Sequence, residues 1–156
     1  YGIIDSKLKL DGTGGEFLNM PAGGSLLPAS EETIKKRLHY VHQDGKTVYK
    51  KAVNEMANIS HQVAKRNNLS NEDINLFIPH QANKRIIDAA AKKMGLKKSQ
   101  IMININKYAN TTSATIPICI AEAQEKQLLK KGDNVILSTF GAGFSWGAMY
   151  LKWGLS

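Results

Sequence analysis

Apolar residues recur along this chain with two periods. Lys7-Leu8-Lys9-Leu10 alternates polar and apolar, as a half-buried strand does, and apolar Ile3-Ile4 precedes it. Asp11-Gly12 and Gly14-Gly15 signal turns, and residues 16–27 read as mostly loop, broken by Pro21 and Gly23-Gly24. Ser30 can cap a short helix whose first turn accommodates Glu31 and Glu32. From about residue 48 to 65, Ala52, Val53, Met56, Ala57, Ser60, Val63 and Ala64 keep a three-to-four spacing, the stripe of a helix packed on one side. Residues 74–78 read as a short buried strand ending at Pro79. A helix follows from about 83 to 94, closed by Gly95 in the left-handed capping position. Residues 101–105 form a second short strand rich in β-branched side chains, and 108–110 a loop. A third helix spans about 112–129 and tolerates Pro117 in its first turn, where no intrahelical N–H bond is lost. Residues 134–139 and 145–153 are the closing strands, joined by the tight link at 140–144. This order predicts an α/β layered fold with an antiparallel final hairpin.

Composition narrows the classes. At 156 residues, 42% hydrophobic and 22% charged, the chain has the size and balance of one globular domain, which excludes disorder, collagen and disulfide scaffolds. No apolar run reaches the roughly 20 residues of a membrane helix. The opening residues lack the basic and apolar regions of a signal peptide. The absence of an initiating Met suggests a processed chain or a fragment. Lysine and arginine total 21 against 13 acidic residues, a net charge of +8 that favours an acidic partner: nucleic acid, anionic membrane or acidic protein. A single cysteine, Cys119, allows no internal disulfide and no multi-thiolate zinc site.

The most informative stretch is Leu76-Phe77-Ile78-Pro79-His80-Gln81-Ala82-Asn83, where polar residues crowd the carboxyl end of a buried strand. Ligands bind there in open α/β sheets. His80 can act there as donor, acid or base; equally, it can cap the next helix or bind a carbonyl. Asn110, in Asn110-Thr111-Thr112-Ser113, also sits between a strand and a helix; alone it reads as a cap. Together the two neutral donors suggest a site that stabilises charge developing on a carbonyl oxygen. In Gly141-Ala142-Gly143 the Ala142 N–H can face a cleft, although a plain hairpin turn is the commoner explanation. Lys84, Arg85, Lys92, Lys93, Lys97 and Lys98 cluster against Asp88 alone, with Lys84, Asp88 and Lys92 on one helix face. Lys46, Lys50 and Lys51 form a second basic group. Either is a solvated face or a groove for an acidic partner; with no interleaved aromatic residues, nucleic acid is disfavoured. Cys119 lies in an apolar stretch of helix without a basic neighbour, and reads as core. His39, His42 and His61 read as structural or exposed, and no metal site is expected.

Ile78-Pro79-His80-Gln81-Ala82-Asn83, Asn110-Thr111-Thr112-Ser113 and the block from Phe140 to Gly147 closely resemble the second half of β-ketoacyl-acyl carrier protein synthase III, as do Asp11 to Glu16 and Met20 to Gly24. The resemblance runs the length of the chain. It implies the carboxyl-terminal half of a thiolase-like α/β fold, a mixed sheet packed between helices. Residues 1–28 would be the end of the amino-terminal half and a connecting loop, and 29–156 the carboxyl-terminal half-domain. It implies a bacterial, cytoplasmic acyltransferase that condenses acyl-CoA, acetyl-CoA by expectation, with malonyl-acyl carrier protein by decarboxylation. Coenzyme A enters as a thioester substrate, and no cofactor is implied. His80 and Asn110 take the catalytic His and Asn positions, and the Ala142 N–H an oxyanion-hole position. Asn83, Gly45 and Lys46 lie near the pantetheine arm. Arg85, Lys50, Lys92 and Lys93 fall where the acidic carrier protein docks.

The family's nucleophilic cysteine belongs to the amino-terminal half, and Cys119 cannot replace it. The implied partners are therefore the carrier protein, a cysteine-bearing half and, in the complete enzyme, a second copy; nucleic acid and membrane are not. A non-catalytic basic binding module is the alternative. Chalcone-synthase-like and hydroxymethylglutaryl-CoA-synthase-like enzymes are further alternatives, against which the His-Gln-Ala-Asn block argues.

Overall fold

The structure, a computed structural model, describes residues 1–155. Six strands and five α-helices follow one another as β1 (Gly2–Leu10), β2 (Leu18–Asn19), α1 (Glu31–Lys35), β3 (His42–Gln43), α2 (Gly45–Arg66), β4 (Leu76–Pro79), α3 (Lys84–Lys93), α4 (Ile105–Tyr108), α5 (Thr115–Glu125), β5 (Asn134–Gly141) and β6 (Ser145–Lys152). The main sheet has the order β1-β6-β5-β4. β6 runs antiparallel to β1 and β5, whereas β4 is parallel to β5. β2 and β3 form a separate two-stranded antiparallel ribbon.

Alternation along the strands builds a three-layer core. Phe77 and Ile136 turn to one face, where Met56, Ile59 and Val63 of α2 and Ala90, Ala91 and Met94 near α3 cover them. Leu76, Ile78 and Val135 turn to the other face, against Cys119 and Ala123 of α5. The mixed sheet between helices and the antiparallel final hairpin are thus as expected.

Helix starts follow their caps. Ser30 and Thr33 form a reciprocal capping box at α1. Asp44 accepts the Thr47 N–H at 2.8 Å, so α2 begins at Gly45, before its apolar stripe. Gly95 closes α3 with φ +70°, the left-handed cap anticipated.

Several expectations are corrected. Residues 1–10 do not close a preceding half-domain: β1 pairs along its length with β6 and is the outer strand of this sheet. Its apolar alternation is not half-buried within this chain. Leu8 and Leu10 are 81% and 80% exposed, because α5 covers only the β4–β5 side of that face. The strand at 101–105 shrinks to a bridge between Ile101 and Phe77. There the buried Gln81 side chain takes the N–H groups of Asn104 and Ile105, and the chain turns into α4. The helix expected over 112–129 divides into a 3-10 turn at Thr112–Ala114 and α5, which stops at Glu125. Within the expected 16–27 loop, Leu18–Asn19 is β2, paired with β3.

Candidate active site

His80 is placed by the last step of the parallel ladder. Its N–H donates to the Ser138 carbonyl at 2.8 Å, immediately beyond β4. Its Nδ1 lies 2.6 Å from the Thr115 hydroxyl at the start of α5. Burial pushes the imidazole pKa below its ordinary value, so the ring is neutral at pH 7. Asn110 does not follow a strand directly but sits between α4 and the 3-10 turn. Its side-chain oxygen accepts the Thr112 N–H at 2.9 Å, which leaves its NH2 group as the available donor.

These two neutral donors meet in one cleft of about 370 Å³. Leu18 and Gln43 of the ribbon wall one side and Met56 of α2 another, while Asn83, Phe140 and Gly141 complete it. Phe140 is held by Phe144, their ring centroids 5.0 Å apart. Phe144 in turn packs directly on Gly14, where any Cβ would overlap its ring. That close approach explains a glycine in the turn after β1.

A second, wider groove of about 710 Å³ shares Gln43, Asn83 and Ile86 with the cleft and is lined also by Gly45, Lys46, Lys50 and Arg85. Arg85 lies over the Tyr49 ring at 5.4 Å, a cation–π contact that steadies its guanidinium. Asn83 caps α3 by accepting the Arg85 N–H at 2.9 Å. The structure therefore brings His80, Asn110, Asn83, Gly45, Lys46, Lys50 and Arg85 to one connected surface. Ala142 is exposed one residue beyond the cleft wall at Gly141. Lys92 and Lys93 do not line the groove; Lys93 instead donates to Asn54 at 2.6 Å.

Behind the cleft lies a polar network that sequence patterning did not reveal. Gln81, 1% exposed, donates to the carbonyls of Pro79 at 2.8 Å and Met102 at 3.3 Å. It accepts from Asn104 N–H at 3.0 Å and Ile105 N–H at 3.1 Å. Asn104 donates to Glu122 at 2.8 Å and accepts from the Cys119 thiol at 3.1 Å. Lys126 and Asn104, with Lys107 adding its charge, hold the Glu122 carboxyl at about 2. Burial, with the Glu122 charge beside it, pushes the Cys119 thiol up to about 12, so the cysteine is an inert core residue as expected. The network's only sequence signal is Gln81 itself, a polar residue following a wholly apolar strand.

A family model described as 3-oxoacyl-[acyl-carrier-protein] synthase III C terminal matches residues 64–153. The chain belongs to this family. β-Ketoacyl-acyl carrier protein synthase III of Chlorobium phaeobacteroides is 53% identical over 154 residues, which are 98% of this chain and 47% of that protein. The synthase III of Porphyromonas gingivalis is 51% identical over 97% of this chain and 45% of its own length. The solved synthase III of Thermus thermophilus superposes with a TM-score of 0.86 at 35% identity, covering 100% of this chain and 47% of that one. That of Pseudomonas aeruginosa gives 0.86 at 31% identity, over 98% and 44%. The thiolase-like fold of a synthase III carboxyl-terminal half is therefore established, and the chain spans about half the length of the curated relatives it matches.

Proposed function

We propose that this chain supplies the enolate-stabilising half of a decarboxylative condensing enzyme. In this reading, an acyl group from acyl-CoA is first carried on a cysteine of a second half. Malonyl-acyl carrier protein then enters the cleft and its carboxylate leaves as CO2. The bonding electrons pass into the thioester as an enolate. The enolate carbon attacks the acyl thioester, and the cysteine thiolate leaves. His80 and Asn110 donate to the oxygen where the negative charge gathers. The observation that carries this reading is the convergence of two neutral donors, from distant parts of the chain, on one partly apolar cleft. A neutral imidazole suits the task, because an imidazolium would protonate the enolate.

The groove of Gly45, Lys46, Lys50 and Arg85 leads away from that cleft, and its charge supports an acidic carrier protein delivering a pantetheine-linked substrate. Lys92 and Lys93 extend the basic surface beside it, and the Ala142 N–H is assigned to an oxyanion hole shared with the cysteine. Among the described residues no nucleophilic thiol serves the cleft, since Cys119 is buried on the far side of the sheet. An apolar depression of about 200 Å³, lined by Leu8, Ile116, Leu137 and Met149, supports a covering partner, which we take to be the cysteine-bearing half. A homodimer of the complete enzyme, cytoplasmic action and independence from any cofactor belong to the same proposal. Among the described residues no helix is long and apolar enough to cross a membrane.

The test is His80→Ala in the protein purified with its cysteine-bearing half. Malonyl decarboxylation is expected to fall about 10²–10³-fold, the usual effect of one lost oxyanion donor, while acyl transfer to the cysteine falls far less. Equal loss of both steps would refute the assignment.

A further inference from the structure

We propose that Thr115 is a positioning residue that fixes which nitrogen of His80 carries the proton. This deepens the reading above and rests on it. Thr115 is buried, and its Oγ1 lies 2.6 Å from His80 Nδ1 and 3.0 Å from the Thr112 carbonyl oxygen. A hydroxyl has one proton to give. Given to the carbonyl, it obliges Nδ1 to carry hydrogen and leaves Nε2 bare. Given to Nδ1, it leaves the hydrogen on Nε2.

Two features select the second arrangement. The Thr112 carbonyl already accepts the N–H of Thr115, so it is not orphaned when the hydroxyl turns away. The contact to nitrogen is also the shorter of the two, and an imidazole nitrogen is a more basic acceptor than an amide oxygen. The inner nitrogen is thus occupied by a donor, and Nε2–H is the group left for the cleft.

The choice of a hydroxyl matters chemically. A carboxylate behind the ring would hold the imidazole in the right orientation but would also stabilise imidazolium, which hands its proton to an enolate. A neutral hydroxyl orients the ring without raising its proton affinity. It also couples His80 to α5, the helix that begins just after the segment carrying Asn110.

The experiment is nitrogen-15 NMR of histidine-labelled protein, purified with its cysteine-bearing half, in wild-type, Thr115→Val and Thr115→Ser forms. Wild type is expected to show a protonated Nε2 and a bare, hydrogen-bonded Nδ1 at His80. Thr115→Val should give a tautomer mixture and lower malonyl decarboxylation about 10–100-fold, the range reached when the hydrogen-bond partner behind a metal-bound histidine is removed. Acyl transfer should change much less, and Thr115→Ser should restore both readouts. A wild-type ring protonated on Nδ1 overturns the proposal. So does an unchanged tautomer in Thr115→Val, or a shifted tautomer with wild-type decarboxylation. If Thr115→Val does not fold, the wild-type and Thr115→Ser spectra decide. The spectrum does not depend on turnover. Failure of the functional reading is therefore separate: the stated tautomer would be present, yet His80→Ala would leave decarboxylation intact.

Discussion

Replacing Gln81 with leucine removes a clamp that uses the full hydrogen-bonding capacity of one buried side chain. Gln81 joins the end of β4, the chain at Met102 and the first turn of α4 through four contacts of 2.8–3.3 Å. Leucine approximates its volume but leaves the N–H groups of Asn104 and Ile105 without their acceptor, and Asn104 is only 4% exposed. A buried donor stripped of its partner costs about 1–3 kcal/mol, so two such groups set an expected loss of about 2–6 kcal/mol. The Met102 carbonyl, at 3.3 Å, adds little. For a domain of this length, each kcal/mol lowers Tm by about 2–4 °C, so a drop of roughly 4–24 °C is expected. Thermal and urea unfolding followed by circular dichroism measures it. Gln81→Glu is the control: its carboxylate can still accept from both N–H groups but places charge against two carbonyl oxygens. A Gln81→Leu protein within about 0.5 kcal/mol of wild type would refute the idea that this side chain, and not the apolar packing around it, turns residues 101–105 out of the sheet.

Two further predictions concern the same network. The Glu122 carboxyl titrates at about 2 when folded, against an ordinary value of 4.5. The stability this ionised group supplies is therefore complete above pH 4.5 and is lost as pH falls from there toward 2; Glu122→Gln should flatten that acid limb in urea titrations, and an unchanged limb would contradict the pairing with Lys126. Cys119, with its thiol at about 12, should resist alkylation at pH 8 in the folded protein and react on unfolding; rapid labelling of the native state would contradict its assignment to the core.

The candidate site was legible unevenly. His80, Asn83 and Asn110 stood out because neutral polar residues interrupt apolar runs next to turn and cap signals. Sequence already paired His80 with Asn110 as two donors of one site, but the cleft in which they meet, and the residues that wall it, emerge only from the fold. Thr115 gave no signal at all: a threonine in the first turn of a helix is ordinary, and only the 2.6 Å approach to His80 distinguishes it. The ribbon's first strand, Leu18–Asn19, was equally hidden, because two residues are too few to show a period.

Local physics, which acts over a few residues, is written in the sequence. It determined α1, α2, α3 and the closing hairpin through caps, apolar stripes and alternation, the inert setting of Cys119, and the basic surface. Tertiary structure decided what depends on contacts between distant residues. It placed β1 beside β6 in this chain's own sheet. It replaced a strand at 101–105 with a bridge and a turn, because Gln81 captures the backbone N–H groups that a neighbouring strand would otherwise bind. It left Lys92 and Lys93 out of the lining of the groove that holds Arg85, Lys46 and Lys50, with Lys93 bonded to Asn54 on the groove wall. A strand's propensity is spelled locally, but the partner that satisfies its hydrogen bonds comes from elsewhere in the chain, and folding alone selects it.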